Sequence, residues 1–300
     1  MRTSLRAGLA LLVLVAAALP ARRARACGTC SVGDPTLTAF GAGLPARHRV
    51  RAVAALRTRR ETVTEGAARL ELRERRLELG LAWAPSDRWV LSALVPVVHQ
   101  RVTWPNLAEE RRWGLGDAAL QARGVLWRDR GFAPAHVLSG LVGLELPTAS
   151  DLARAEQLAS DDAQPGSRSW DPTAGLAYAF FGGAFSLQSA ATLLVPLSEG
   201  FGGRRPGPTL RLLALGQWQP HEVIGFRLGA TARVDGRDRV DGARDAQSGG
   251  ALVKGTAGLL LAPHPRLLLE ARASLPVWQE RRGGHEDGFA MFLGGILELH

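Results

Sequence analysis

Two cysteines stand three positions apart near the N-terminus, in the sequence Cys27-Gly28-Thr29-Cys30. Such a pair can form a disulfide, attach haem, act as a redox centre or supply two zinc ligands. Haem attachment needs histidine at the next position, where Ser31 stands, and a zinc site needs two further ligands. We therefore expect a disulfide between Cys27 and Cys30 in an oxidising compartment. Attachment of lipid to Cys27 is the open alternative.

The histidines and acidic residues do not suggest a metal site. The seven histidines are scattered along the chain, and no two have the spacing of zinc ligands. Four aspartates fall in residues 235–245, but their spacing is not that of an EF-hand and arginines between them neutralise their charge. We expect neither a metal nor a cofactor.

His136 and Ser139 invite comparison with lipid hydrolases of the outer membrane. Residues three apart lie on opposite faces of a β-strand, so this pair cannot form a Ser–His dyad there. We predict a protein that is not an enzyme, with a lipid-modifying barrel enzyme as an alternative.

The N-terminus has the three parts of a secretory signal peptide. Arg2 and Arg6 precede an apolar stretch over residues 7–19, and Ala24-Arg25-Ala26 is a small-residue cleavage site. We predict a signal peptide over residues 1–26 and a mature chain that begins at residue 27. The signal contains five arginines and no acidic residue, so the net charge falls from +9 to +4. This modest, dispersed charge and the export signal argue against nucleic-acid binding.

The rest of the 300-residue chain alternates between apolar and polar positions in segments separated by breaks rich in Gly, Pro and Asp. This period of two indicates β-strands. No apolar run reaches the length of a transmembrane helix, so crossing a membrane would require a closed barrel. We predict twelve strands, near residues 49–59, 68–83, 88–103, 114–128, 136–147, 172–181, 185–196, 209–219, 223–234, 252–262, 266–277 and 288–299.

The connections between these segments alternate in length. Five are short, and six are longer, including those over residues 60–67, 104–113 and 278–287. Short turns on one side and longer loops on the other are typical of bacterial outer-membrane barrels. The fold predicted is all-β, a transmembrane antiparallel up-and-down barrel of about 12 strands over residues 48–300, preceded by a periplasmic segment over residues 27–47.

The eight tryptophans support this prediction because all fall near strand ends. Two interfacial belts would account for them. Those near short turns are Trp83, Trp89, Trp127 and Trp218, and those near long loops are Trp104, Trp113, Trp170 and Trp278. The second strand changes its alternation at Arg75-Arg76, which predicts a β-bulge there.

Charged residues on the alternating polar positions should face the interior, because a charge facing lipid would cost about 2–4 kcal/mol at the membrane midplane. Such inward charges could favour anionic or polar solutes. They could equally form an ion-pair network that braces or plugs the barrel. The candidates are Arg51, Arg57, Arg123, Glu145, Arg211, Arg227, Arg233, Glu270 and Arg272.

The sequence G-L-G-D at residues 114–117, followed after a strand and a turn by L-E-L-P-T at 144–148, resembles the MetA-pathway phenol-degradation family of outer-membrane transporters. The segment over residues 30–38 also resembles the mature start of related exported proteins. The resemblance implies an outer-membrane β-barrel that passes hydrophobic or aromatic compounds, and it brings no catalytic residues. Two features depart from it: the chain ends in Leu299-His300 rather than in an aromatic residue, and no aromatic-lined pocket is evident.

We therefore predict a channel or transporter for small compounds in the outer membrane of a Gram-negative bacterium. Its partners would be outer-membrane lipid and a small-molecule solute, with no nucleic acid. A structural or plugged barrel without transport is the second hypothesis, and the lipid-modifying enzyme is the third.

Overall fold

The computed structural model describes residues 47–65, 68–104, 106, 108–150 and 164–299. Twelve antiparallel strands form a closed barrel, so the predicted fold and strand number are confirmed. The strands are β1 (Val50–Glu65), β2 (Ala68–Trp83), β3 (Trp89–Thr103), β4 (Glu109–Leu115 and Ala118–Arg128), β5 (His136–Leu146), β6 (Asp171–Gly182), β7 (Phe185–Leu194), β8 (Thr209–Trp218), β9 (Ile224–Asp235), β10 (Gly250–His264), β11 (Leu267–Arg281) and β12 (His285–Glu298).

Each strand pairs with its neighbour in sequence, and β1 pairs with β12 to close the ring. Closure gives every strand a partner on both edges, which a membrane requires because lipid cannot accept or donate hydrogen bonds. In the part of the chain that the structure describes, no helix is long and apolar enough to cross a membrane.

The alternation of side chains divides each strand into two faces. On β9, Phe226 and Leu228 point outward, where Leu228 is 71% exposed, whereas Arg227 points inward and is 3% exposed. The outer surface therefore displays a band of exposed leucine, valine and aromatic residues, and the polar residues lie inside. This arrangement is the opposite of a soluble protein's and is typical of a barrel in lipid.

All five connections on the side of the barrel that holds the beginning of β1 and the end of β12 are short, whereas the three longest connections lie on the opposite side. The side with only short turns is periplasmic in barrels of this class. Arg128 joins two of these turns by donating to the Asp87 carboxylate over 2.9 Å. This hydrogen bond lowers the pKa of Asp87. The pKa of Asp129 is also lowered, mainly because the backbone N–H of His136 donates to it.

Three of the predicted long loops are wrong. The loop predicted over residues 104–113 spans only residues 104–108, because β4 begins at Glu109. Strand β1 continues to Glu65, so only two residues separate it from β2, and only residues 282–284 separate β11 from β12. These extensions are rich in charged residues on both faces, and such a sequence predicts a loop. Beyond the membrane, however, a strand can carry charge on both faces because both contact water.

The predicted bulge at Arg75-Arg76 is also wrong. The pairing of β2 with β1 and with β3 runs through Arg75 and Arg76 without a shift. The pattern changes because the outward face passes from apolar residues, ending at Leu77, to charged residues from Arg75 onward. The change marks the height at which β2 leaves the apolar membrane.

Six of the eight tryptophans lie at or next to strand ends, and Trp113 and Trp278 lie within β4 and β11. Trp113, Trp89 and Trp278 are about half exposed or more. Trp104 differs from the predicted belt position. It packs against the buried pair Leu72 and Val102, inside the long-loop end of the barrel. Its side chain points inward, as every second residue of β3 does. The sequence analysis assigned Trp104 to a loop and therefore did not predict this direction.

Candidate functional site: the barrel lumen

The middle of the lumen holds a cavity of about 530 Å³. Its charged lining residues are almost balanced in sign, and most come from inward positions of the strands. The cations are Arg57, Arg59, Arg76, Arg211, Arg233, Lys254 and Arg272, and the acids are Glu74, Glu78, Asp117, Glu145, Asp171 and Asp287. Leu94, Pro96, Leu252 and Phe292 add apolar surface. The site is therefore amphipathic, with a strongly polar wall.

Ion pairs along one wall fix most of these charges. Arg57 lies 2.9 Å from Glu78, and Glu74 contacts both Arg59 and Arg76 at 3.2 and 3.1 Å. On the other wall, Lys254 lies 3.1 Å from Asp287.

Glu145 and Arg211 are different. Among the described residues neither forms a hydrogen bond or an ion pair within 4 Å, although both line the cavity. They enter from separate strands, β5 and β8, and are the charged groups of the cavity wall most available to a solute.

Phe292 forms the floor of the cavity. Its ring is 5% exposed and lies beneath two guanidinium groups, Arg272 at 4.6 Å and Arg57 at 5.7 Å from the ring centroid. On the periplasmic side it packs in an apolar cluster that includes Val53, Leu260 and Ile296. This cluster fills part of the lumen down to the short turns.

Polar residues fill the remainder of the periplasmic half. Arg227 and Glu270 form an ion pair of 3.2 Å, with side chains 1% and 0% exposed, and Arg227 also donates two hydrogen bonds of 3.1 Å to Gln217. Arg123 donates to the hydroxyl of Ser139 over 3.2 Å. The periplasmic half of the lumen is therefore packed rather than open.

A second cavity of about 250 Å³ lies toward the long loops and shares Arg59, Gly207 and Arg233 with the first. Its wall includes Glu61, which contacts Arg281 at 3.1 Å and the Nδ1 atom of His285 at 2.9 Å. Access from the outer side is therefore lined by charged and hydrogen-bonding groups.

A segment of the connection between β5 and β6 lies inside the barrel, bound to Asp117. This carboxylate separates the two parts of β4 and accepts hydrogen bonds from the backbone N–H groups of Ala149 (2.9 Å), Ser167 (2.6 Å) and Arg168 (2.9 Å). From neighbouring strands, Arg76 donates to the carbonyl of Pro165 over 3.3 Å and Gln100 to that of Gln164 over 3.1 Å.

The glycines of this region permit the close approach. A Cβ on Gly116 would lie 2.9 Å from the carbonyl oxygen of Pro165, and one on Gly166 would lie 2.3 Å from the Asp117 carboxylate. The G-L-G-D sequence therefore has a structural role: it interrupts β4 and binds the inward segment. The sequence offered one signal of this role, an aspartate within an apolar strand, but its backbone partners are some 30 to 50 positions away.

The nine candidate lumen residues divide into two groups. Arg57, Glu145, Arg211, Arg233 and Arg272 line the large cavity, whereas Arg51, Arg123, Arg227 and Glu270 lie in the packed periplasmic half. Cys27 and Cys30 lie outside the described residues, as do the predicted signal peptide and most of the predicted periplasmic segment.

His136 and Ser139 are not brought together. Ser139 is fully buried inside the barrel, and the Nδ1 atom of His136 lies 2.7 Å from the Tyr178 hydroxyl. In the aspartate-rich loop, Asp238 contacts Arg204 at 2.7 Å and Asp235 contacts Arg233 at 2.7 Å. Within residues 47–299, as far as they are described, no cluster of three or more His, Cys, Asp or Glu could hold a metal ion.

The closed ring of twelve strands, the outward apolar band and the polar lumen with an inserted loop segment define an outer-membrane β-barrel. A sequence profile described as "Putative MetA-pathway of phenol degradation" matches residues 71–291. The chain belongs to this family, and the resemblance seen in the sequence is confirmed.

One solved structure supports the same fold, and two others are similar at lower TM-scores. The COG4313 outer membrane channel from Pseudomonas putida F1 superposes with a TM-score of 0.64 at 15% identity, over 85% of this chain and 96% of that chain. A mutant of the TodX monoaromatic hydrocarbon channel gives 0.48 at 8% identity, over 91% and 98%. The translocator domain of the autotransporter NalP from Neisseria meningitidis gives 0.47 at 14% identity, over 84% and 89%. A comparison with curated proteins finds no match.

Proposed function

We propose that this protein is an outer-membrane channel that passes small compounds through its lumen. The observation that carries the proposal is the cavity of about 530 Å³ between an inserted loop segment and a packed floor. Cavities of this volume are typical of small-molecule sites. Because the periplasmic half is packed, passage requires the side chains around Phe292 to move.

The lining favours small aromatic compounds that carry a polar or anionic group. The ring would pack on Phe292, Leu252 and Pro96, while the polar group would contact Arg211 or Glu145, which make no hydrogen bond or ion pair within 4 Å among the described residues. Aromatic compounds are the class that the family description and the name of the TodX channel suggest. The nine candidate residues are proposed as its lumen residues, five in contact with solute and four as the support beneath them.

Uptake into proteoliposomes, measured after subtraction of the uptake into protein-free liposomes, tests this proposal. We expect benzoate and phenol to enter faster than glucose, and Arg211→Gln to slow benzoate more than phenol. Arg266→Gln, in an exposed periplasmic turn, is the matched control. Equal entry of all three solutes would contradict the proposed selectivity, and no entry of any would contradict the channel.

A plugged barrel without transport is the second candidate, and the packed periplasmic half favours it. The buried Arg227–Glu270 pair and the apolar cluster below Phe292 would then serve only to stabilise the barrel. The uptake experiment separates the two candidates.

We propose no enzymatic role, because Ser139 and His136 point to opposite faces of β5. Lipase activity that Ser139→Ala abolishes would instead support a lipid-modifying enzyme.

Export through a signal peptide over residues 1–26 is likewise proposed, with a periplasmic segment over residues 27–47 and a disulfide between Cys27 and Cys30. Mass spectrometry of the mature protein, before and after reduction, tests the cleavage site, the disulfide and the alternative of lipid on Cys27.

A further inference from the structure

Four arginines form a row across the outer surface of β1–β4. In the strand registers Arg60 lies directly opposite Arg73, Arg73 opposite Arg101, and Arg101 opposite Arg111. All four point outward, away from the lumen. Like charges directly opposite each other destabilise a sheet, so the arrangement works against the stability of the barrel.

Neighbouring residues strengthen the positive charge. Arg69 and Arg75 also point outward on β2, and on the described outward positions of β1–β4 only Glu71 and Glu109 oppose the six arginines, while Glu286 of β12 borders the group opposite Thr62. Glu71 contacts Arg73, while Glu109 contacts Arg101 and Arg111. Among the described residues, Arg60, Arg69 and Arg75 have no acidic partner within 4 Å. A net positive patch therefore remains on this wall.

The height of the arginine row along the barrel axis shows which layer of the membrane it contacts. Four positions closer to the periplasm on the same strands lie Leu56, Leu77, Val97 and Leu115, the upper edge of the apolar band. The separation is about 13 Å along a strand, or about 10 Å in height for a tilted strand. Between the two levels, Trp113 is 69% exposed, as expected for an aromatic residue at the membrane interface.

The row lies on the long-loop side of the barrel, which is the outer side. The outward positions of β6–β9, all within the described residues, include no charged residue. The positive surface is therefore confined to one wall at the level of the lipid headgroups in the outer leaflet. The outer leaflet of a Gram-negative bacterium presents the phosphates of lipid A at this level, and arginine binds phosphate with paired hydrogen bonds.

We propose that the arginine row Arg60, Arg73, Arg101 and Arg111 binds the phosphates of lipid A on the outer surface of the barrel. This binding offsets the repulsion among the arginines and orients the β1–β4 wall toward lipopolysaccharide. The site is separate from the lumen and does not depend on the channel function.

The test compares two triple variants of the full-length protein in detergent. The row variant is Arg60→Gln, Arg73→Gln and Arg101→Gln. The control is Arg237→Gln, Arg239→Gln and Arg244→Gln, which removes the same charge from the exposed loop after β9. Native mass spectrometry measures binding of diphosphoryl lipid A, of dephosphorylated lipid A and of phosphatidylglycerol.

We expect the unmodified protein to prefer diphosphoryl lipid A. The row variant should bind it at least about tenfold more weakly, because each arginine near an anionic surface contributes severalfold to affinity. The control should bind within about twofold of the unmodified protein. Equal losses in both variants, equal affinity for phosphatidylglycerol, or displacement of lipid A by millimolar inorganic phosphate would overturn the proposal.

Stability provides an independent readout. In micelles without lipid A, the row variant should unfold at the same or a higher denaturant concentration than the unmodified protein, because opposed like charges have been removed. Lipid A should stabilise the unmodified protein and not the row variant. A row variant that is less stable than the unmodified protein without lipid A would overturn the proposal. The single variant Arg73→Gln repeats the binding test with a smaller change, and we expect it to weaken lipid A binding about fivefold.

Discussion

Arg227 and Glu270 illustrate how single residues hold the periplasmic half of the lumen. Both side chains are almost fully buried; their charges compensate each other, Arg227 also donates to Gln217, and Arg272 lies 4.0 Å from Glu270. A buried ion pair adds little net stability relative to apolar residues, but loss of one partner leaves an unpaired buried charge.

Arg227→Met should therefore lower the free energy of unfolding by up to about 3–5 kcal/mol, because the buried Glu270 would keep only Arg272, 4.0 Å away, as a charged partner. The double variant with Glu270→Leu should recover most of the loss. Denaturant titration of the barrel in lipid vesicles measures both. Glu71→Gln, which breaks an exposed ion pair with Arg73, is the control and should change stability much less. Equal effects at Glu71 and Arg227 would contradict the packed lumen.

The inward direction of these residues follows from alternation alone, because every second residue of a strand shares a face. Their partners do not follow from it. Arg227 and Glu270 lie on β9 and β11, separated by β10, and only the closure and stagger of the ring bring them together. For the same reason, the sequence could not predict that Arg57 and Glu74 form ion pairs whereas Glu145 and Arg211 form none within 4 Å in the part of the chain that the structure describes.

At the scale of elements, the break in β4 determines the position of the inward segment over residues 164–170. Asp117 binds three backbone N–H groups of this connection, and Gly116 and Gly166 leave the space for it. The segment in turn forms part of the cavity wall through Pro165, Gly166 and Ser167.

Asp117→Ala and Gly166→Ala should release this segment by independent routes, the first by removing the acceptor and the second by a clash with it. We expect faster tryptic cleavage after Arg168 in both variants of the folded barrel. Gly131→Ala, in a periplasmic turn where a Cβ meets nothing within 4 Å, is the matched control. Cleavage that is unchanged in both variants would show that Asp117 does not hold the segment.

The upper limit of the apolar band on β2 gives a second prediction at this scale. Leu79 lies within the band and is 48% exposed on the outer surface, whereas Thr64 faces outward on β1 beyond the band. Leu79→Arg should cost up to about 2–4 kcal/mol of stability in a bilayer, and Thr64→Arg almost nothing. Denaturant titration in vesicles compares them, and similar costs at both positions would place the membrane boundary elsewhere.

At the scale of the whole molecule, the sequence predicts the barrel well because lipid outside and a polar lumen inside impose a strict alternation on every strand. It predicts the ends of β1, β4, β11 and β12 less well at the outer side, where these strands project into water and both faces can be polar. It also cannot predict how full the lumen is, since an inward arginine has the same pattern whether it faces a cavity, as Arg211 does, or a packed interior, as Arg227 does.

The barrel as a whole consists of an outer half with connected cavities and a periplasmic half that is packed. A channel built in this way should have a low conductance, and a smaller side chain in place of Phe292 should increase it. Phe292→Ala should therefore raise the conductance in planar bilayers, while Leu228→Ala, a similar reduction on the lipid face, should not. A conductance that responds equally to both changes would contradict the assignment of Phe292 as the floor.

Thiol block of single-channel currents tests most directly whether the lumen is the solute path. In a background with Cys27→Ser and Cys30→Ser, Ala290→Cys places a thiol in the cavity wall, and Ala257→Cys places one on the lipid face of β10. We predict step currents for both variants, and a fall in current on addition of a charged thiol reagent only for Ala290→Cys. Absence of step currents at any voltage from folded, heat-modifiable protein, or equal block at the two positions, would contradict the account.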